Sequence, residues 1–257
     1  KTVVIQIRRM FMEGFKKMYS PSAMAMKIRN RTSKELSRKL LGFFRKPDAS
    51  GLELIRIGSE YGGWWMPTNL LADGFTAYCV GVGTDASFDF GVADRFDCKV
   101  FSLDPSPQSV EWISTVDLPE NCQFHPVGMW KEDVVLRFFY DRRSAQLSTR
   151  DIDGTGRVVE LPVKRMSTLM REFGNSRVDL LKIDIEGSWR EVLEDIIELP
   201  ILPTILMVEF DTPVSLPAVI RWIDRLRARG YDYCKCEKDN FLFVLHEDRQ
   251  RLLSEER

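Results

Sequence analysis

Phe75-Thr76-Ala77-Tyr78-Cys79-Val80 runs directly into Gly81-Val82-Gly83-Thr84-Asp85-Ala86. A short, continuous apolar run closed by glycine reads as a strand buried on both faces, the kind found in parallel sheets. The glycines make a tight turn, and residues 85–95 form a helix with Phe88, Val92 and Phe96 on one face. Bare glycine backbone allows close approach of a ligand, and a helix start offers unpaired N–H groups. This junction therefore marks a site at the carboxyl end of a strand in an α/β fold.

The same alternation extends outward. CKVFSL (98–103) is the next strand, ending at Asp104-Pro105, and Pro107 opens a helix at a favourable first-turn position. CQFHPV (122–127) gives a third strand, and VVLRFFY (134–140) with VVELPV (158–163) an inserted antiparallel pair. STLMREFG (167–174) is a helix with Ser167 as cap and Gly174 as stop. VDLLKID (178–184), helix 188–196, TILMVEF (204–210) and helix 215–230 continue the pattern. YDYCKC (231–236) and NFLFVL (240–245) close it as an antiparallel pair, followed by a charged tail, 247–257, that reads as a solvated helix. Alternating strands and helices predict a mostly parallel sheet covered on both faces.

Composition separates an arm from a body. Of 257 residues, 44 % are apolar and 29 % charged, which excludes a disordered or fibrous chain. No apolar run reaches the ~18 residues of a spanning helix. Residues 1–47 hold 13 Lys/Arg against Glu13 and Glu35, a net of +11, whereas the remainder carries a net of −12. We read 1–47 as a basic amphipathic helical arm and 48–257 as the main domain. The arm either caps that domain or lies on an anionic membrane surface, giving a cytoplasmic protein with possible peripheral contact. No nucleic-acid-binding motif accompanies it, so a nucleic-acid partner is not expected. Five cysteines without CxxC spacing read as free thiols, and two histidines exclude a multi-histidine metal site.

Asp104 lies 21 residues beyond Gly83 at a strand tip, where a carboxylate can accept from ribose hydroxyls. The pair points to an adenosine-containing cofactor, either a nicotinamide dinucleotide or S-adenosylmethionine. Three features favour the latter: no room for a separate substrate domain, a terminal strand pair, and carboxylates clustered at 184–186 and 209–211.

Arg56-Ile57-Gly58-Ser59-Glu60-Tyr61-Gly62-Gly63-Trp64, YCVGVGTDASFD (78–89), FSLDPSP (101–107) and LLKIDIEGSWREVL (180–193) together resemble the successive blocks of FkbM-family methyltransferases. The resemblance covers roughly residues 52–245 and leaves out the basic arm. It implies a class I, Rossmann-like, seven-stranded sheet, S-adenosylmethionine as donor, and O-methylation, often of a sugar or glycosylated product. It further implies that Gly81, Val82, Gly83, Asp85, Ser87, Asp104, Pro105, Val127 and Gly128 hold the donor. Glu209-Phe210-Asp211 departs from relatives, which more often place a histidine near Asp211.

Methyl transfer to a hydroxyl is an in-line displacement that needs alignment and a base. Asp184 and Glu186, at the end of VDLLKID, are the candidate catalytic bases, and Lys182 is expected to pair with Asp184. Tyr61, Trp64, Glu209 and Asp211 are the candidate contacts to a small-molecule or glycan acceptor. Four carboxylates could hold a divalent cation, but no metal is expected. His125 reads as a structural histidine near the adenine pocket. A nicotinamide-dependent oxidoreductase or epimerase, and a non-catalytic membrane-docking module, remain the rival readings.

Overall fold

The computed structural model describes residues 40–140, 147–148, 158–185, 187–211 and 214–255. Lys1–Lys46 and Pro47–Arg257 are separate units. In the first, residues 40–44 are helical, with Leu41 buried and Phe43 and Phe44 exposed. Residues 1–39 of the arm lie outside the described residues.

The second unit opens with an antiparallel hairpin, β1 (Leu54–Ile57) and β2 (Trp64–Pro67), in which Ile57 faces Trp64. β2 is absent from the sequence reading because its run is only four residues long. Next come β3 (Phe75–Val80), helix α1 (Ser87–Arg95), β4 (Cys98–Leu103), α2 (Pro107–Ile113) and β5 (Cys122–His125). After an insertion the chain resumes with α3 (Met166–Glu172), β10 (Leu180–Ile183), α4 (Trp189–Ile196), β11 (Ile205–Glu209) and α5 (Leu216–Ala228). β12 (Tyr231–Glu237), β13 (Asn240–Leu245) and α6 (His246–Glu255) complete it.

Seven strands form one sheet in the order β12-β13-β11-β10-β3-β4-β5. β13 runs antiparallel to both β11 and β12, whereas the pairs from β11 to β5 are parallel. The central strands are apolar on both faces: Ala77, Tyr78, Leu180, Leu181, Ile205 and Leu206 have no accessible surface. Register then decides where the chemistry falls. Val80 sits opposite both Ile183 and Leu103, so the residues that follow these three strands emerge side by side. Chain order also reverses here, β4 lying to one side of β3 and β10 to the other, which is where open α/β sheets bind ligands.

The insertion between β5 and α3 is a second sheet of β6 (Gly128–Met129), β7 (Val134–Tyr140), β8 (Leu147–Ser148) and β9 (Val158–Lys164). β7 pairs with β9 antiparallel, as the sequence suggests, and Phe138, Leu161 and Val163 form its own small core.

Local chemistry moved three boundaries. α1 starts at Ser87 because the Asp85 carboxylate accepts from the Ser87 N–H at 2.9 Å, making a turn ahead of the helix. α3 starts at Met166, so Ser167 is not its cap. Asp133 instead accepts from Arg165 N at 2.8 Å and Thr168 Oγ1 at 2.7 Å. The tail expected to be solvated docks as α6, with a buried Arg249 paired to Asp232 at 3.0 Å and Asp48 at 2.9 Å. The five cysteines are free thiols.

Trp189 carries the α4 contact, packing edge-to-face on Phe210 at 4.7 Å and Trp222 at 6.0 Å with almost no accessible surface. Replacing a buried indole by alanine leaves a cavity, so Trp189→Ala is expected to cost about 3–5 kcal/mol. Urea unfolding measures this; an unchanged midpoint would mean that α4 does not depend on this packing.

Candidate active site

The turn after β3 is built around one close approach. Gly81 has φ of +89°, and a Cβ there would lie 1.7 Å from the Asp184 carbonyl oxygen, so only glycine lets β3 and β10 end this tightly together. At Gly83, by contrast, a Cβ would meet nothing within 4 Å. Asp104, at the end of β4, clamps the turn from the other side. Its Oδ2 accepts from Val82 N at 3.0 Å and Gly83 N at 2.9 Å, and its Oδ1 from Ser106 N at 2.8 Å. An ionised carboxylate has about four acceptor positions, so three bonds leave Asp104 capacity for a ligand hydroxyl.

Below the turn lies a buried cation. Lys182 is the charged residue in the otherwise apolar β10, 3 % exposed. Its Nζ donates to the Gly81 carbonyl at 3.0 Å and pairs with Asp184 Oδ2 at 3.3 Å, as expected from their spacing. The Trp64 ring is 5.7 Å from the same nitrogen. Burial opposes the charge on Lys182, but Asp184 and the fully buried Asp89 outweigh it and hold the ammonium above its ordinary value. Burial pushes the Asp89 carboxyl up, while Lys182 and a 2.6 Å bond from Ser102 pull it back.

These elements enclose a cleft of about 280 Å³. Gly81, Val82, Gly83, Asp85, Asp104 and Pro105 line one side, and Asp184, Ile185 and Ser188 are also in its wall. Gly128, Met129 and Trp130 join Phe138, Leu161 and Val163 of the inserted sheet in an apolar wall, while Tyr61 and Gly62 contribute from the β1–β2 loop. Thus Tyr61, Gly81, Val82, Gly83, Asp85, Asp104, Pro105, Gly128 and Asp184 come together as the sequence suggests.

Other candidates stand apart. Trp64 is 3 % exposed in the main core rather than in the cleft wall, because its place on β2 turns it inward against Ile57. Val127 is not in the wall, and Ser87 spends its hydroxyl on Ser59 N at 2.7 Å. Glu209 lies opposite Asn240 on β11, outside the wall. Asp211 is also outside it, with Oδ2 accepting from Gly187 N at 2.9 Å. Glu186 lies outside the described residues. His125 is not in the wall either: it stacks on Phe173 at 4.1 Å, and its buried Nε2 has no hydrogen-bond partner among the described residues. Among the described residues, no group of three or more His, Cys, Asp or Glu is placed to hold a metal ion. No described helix is long and apolar enough to cross a membrane.

Sequence reasoning missed Gln108, Trp130, Phe138, Leu161 and Val163. The two-residue period in 158–163 puts Leu161 and Val163 on one face, but nothing local says that this face meets the glycine turn.

A seven-stranded sheet with only β13 reversed, and a glycine turn and acidic strand tip at its switch point, defines the class I methyltransferase architecture. Residues 74–233 match the methyltransferase FkbM domain, and the chain belongs to that family of methyltransferases. This sets aside the oxidoreductase and non-catalytic readings. No curated protein matches the chain. Among solved structures it is similar to a precorrin-6y C5,15-methyltransferase from Geobacter metallireducens GS-15, at 12 % identity over 68 % of this chain and 83 % of that one, TM-score 0.39. It is also similar to the antibiotic-resistance methyltransferase Kmr (13 %, 75 % and 98 %, 0.38). A third is the fibrillarin pre-rRNA processing protein of Methanococcus jannaschii (11 %, 78 % and 85 %, 0.39).

Asp211 offers a test of the site's electrostatics. Burial raises its carboxyl above the ordinary range and Asp184 adds to this, outweighing the opposing Gly187 N–H and Trp189 side chain. A carboxyl raised by folding binds protons more readily in the folded chain, so it costs stability above its folded value. Asp211→Asn is therefore expected to stabilise by about 1 kcal/mol at pH 7, with the gain shrinking as pH falls through the carboxylate range. Thermal midpoints of both proteins from pH 4 to 8 measure it; a loss of stability at pH 7 would contradict the buried-charge reading.

Proposed function

We propose that this methyltransferase transfers the methyl group of S-adenosylmethionine to a hydroxyl of a sugar, glycan or glycosylated small molecule, with Asp184 as general base. The observation that carries the donor assignment is Asp104: a strand-tip carboxylate in the cleft wall that holds the glycine turn through the Val82 and Gly83 N–H groups, accepts a third bond from Ser106 N, and keeps one acceptor position. Gly81, Val82 and Gly83 would border the donor's amino-acid end, Asp104 would accept from its ribose hydroxyls, and Gly128, Met129 and the apolar wall would enclose its base. When bound, the donor supplies an electrophilic methyl on a sulfonium.

The chain's own residues supply alignment and the proton acceptor. Asp184 ends β10 in the cleft wall, and the Lys182 pair fixes its carboxylate there. That carboxylate would take the proton of the acceptor hydroxyl, while the donor, when bound, would supply the methyl group and keep the electron pair on its sulfur. Placement of the two reactants in one cleft would remove much of the entropic barrier, an effect worth up to about 7–11 kcal/mol in intramolecular reactions.

Titration calorimetry and a methyl-transfer screen over glycans, glycolipids and hydroxylated metabolites test this reading. Wild-type protein is expected to bind S-adenosylmethionine, and Asp104→Ala to bind it more weakly. Asp184→Asn is expected to lose turnover by about 10²-fold or more with donor affinity kept. Near-normal turnover would remove Asp184 as the base.

The arm supports a second proposal, peripheral contact with an anionic membrane. Phe43 is 83 % and Phe44 52 % exposed, their rings 5.4 Å apart and edge-to-face, and Arg45 and Lys46 follow directly. Exposed aromatic rings beside cations suit the interface of an anionic bilayer. Liposome flotation is expected to carry the full chain with anionic but not neutral vesicles, and to fail without residues 1–47. Equal behaviour of both chains would end this idea.

A further inference from the structure

The loop of the β1–β2 hairpin is held by more bonds than a six-residue turn needs. Arg56, on β1, donates from Nη1 to the Ser59 carbonyl at 2.7 Å, and from Nη2 to the carbonyls of Glu60 at 3.0 Å and Gly63 at 3.3 Å. Its Nε pairs with Glu237 at 3.2 Å, and the other Glu237 oxygen accepts from Trp65 Nε1 at 3.0 Å. One guanidinium thus grips three carbonyls of the loop, two at its start and one at its end, and moors it to the end of β12. The grip needs bare backbone: a Cβ at Gly63 would lie 2.6 Å from Arg56 Nη1 and 2.5 Å from the Ser59 carbonyl.

Ser59 ties the inner side of the same loop to the glycine turn. Its hydroxyl donates to Asp85 Oδ2 at 2.5 Å while accepting from Tyr61 N at 3.1 Å and Gly62 N at 2.8 Å. Partial burial opposes ionisation of Asp85, but Ser59 and Ser87 outweigh it and keep the carboxyl below its usual range. Tyr61, whose backbone is fixed on both sides, leaves 87 % of its surface exposed and lines the cleft. An aromatic side chain this exposed contributes little to packing, while the loop backbone beneath it is held by five side-chain bonds from Arg56 and Ser59.

We infer that Arg56 is a positioning residue of the donor cleft: its three-carbonyl fork preorganises the 58–63 loop so that Tyr61 and Gly62 form a fixed rim of the cleft, tied to the glycine turn through Ser59. A rim set before binding removes an ordering cost that a loose loop would impose on every ligand. The guanidinium acts through Tyr61 and does not itself touch the donor. A planar fork can satisfy several carbonyls at once, and a lysine ammonium at the same place cannot reproduce that geometry.

The inference rests on the donor reading above, and the experiment separates the two. S-adenosylhomocysteine is titrated into the full chain carrying Arg56→Gln, Arg56→Lys, Tyr61→Ala, or Arg56→Gln with Tyr61→Ala. Arg56→Gln is expected to weaken binding about tenfold, and Arg56→Lys to do nearly the same although it keeps the charge facing Glu237. In the Tyr61→Ala background the Arg56 change is expected to cost little, because both act through one rim. Full affinity in Arg56→Lys, or additive losses in the double variant, would overturn the inference, since a purely stabilising arginine gives additivity. If Arg56→Gln fails to fold, Arg56→Lys replaces it in both arms. Amide exchange in residues 59–63 without ligand is a second readout, expected to speed up about tenfold in either variant. Unchanged exchange there refutes the rim, whereas an intact rim in a wild-type chain that binds no S-adenosylhomocysteine refutes the donor reading alone.

Discussion

Everything at the cleft leans on an ammonium group shut inside the sheet. Lys182 occupies a strand whose neighbours are all apolar, and an unpaired cation there would cost several kcal/mol. Its partners are the structure's answer: the Gly81 carbonyl, the Asp184 carboxylate and the field of Asp89. Because these partners belong to the ends of β3 and β10 and to α1, one charge locks three elements at a single height. The turn proposed to meet the donor and the carboxylate proposed as base are therefore neighbours of the same nitrogen.

Register completes what that charge begins. Val80 facing both Leu103 and Ile183 brings the glycine turn, Asp104 and Asp184 out at one edge with no help from long loops. A slip of one residue in either pair would turn Lys182 or the strand-tip residues to the opposite face, so the apolar pattern of the strands protects the chemistry as well as the core. The antiparallel β13, inserted between β11 and β12, shapes the far side of the sheet and leaves this edge alone.

What was legible in the chain follows from range. The glycine turn, the acidic tip of β4, the Lys182–Asp184 spacing and the closing hairpin are patterns within a few residues, and each is where its pattern puts it. Trp64 was misjudged because two adjacent tryptophans on a strand must face opposite ways, and sequence alone does not say which one turns inward. Trp65 is the outward one, its ring 4.2 Å from Lys235 Nζ. Ser167 lost its capping role to Asp133, more than thirty residues upstream. The Arg56 fork was invisible for the same reason, its anchor Glu237 lying 181 residues away. The apolar wall required knowing how a separate sheet leans on the main one.

The docking of Arg249 has a consequence for how such a unit can be combined with others. Its guanidinium reaches Asp48 and donates to the Ser50 carbonyl at 2.9 Å, so the first ordered turn of the Pro47–Arg257 unit and its last helix are stapled together. A module whose entry and exit share one doorway can be spliced into a host polypeptide, or reconnected end to end and opened elsewhere, with little disturbance of its interior. The doorway opens beside β12, at the margin of the sheet, whereas the cleft opens beside β3 and β10 at its centre.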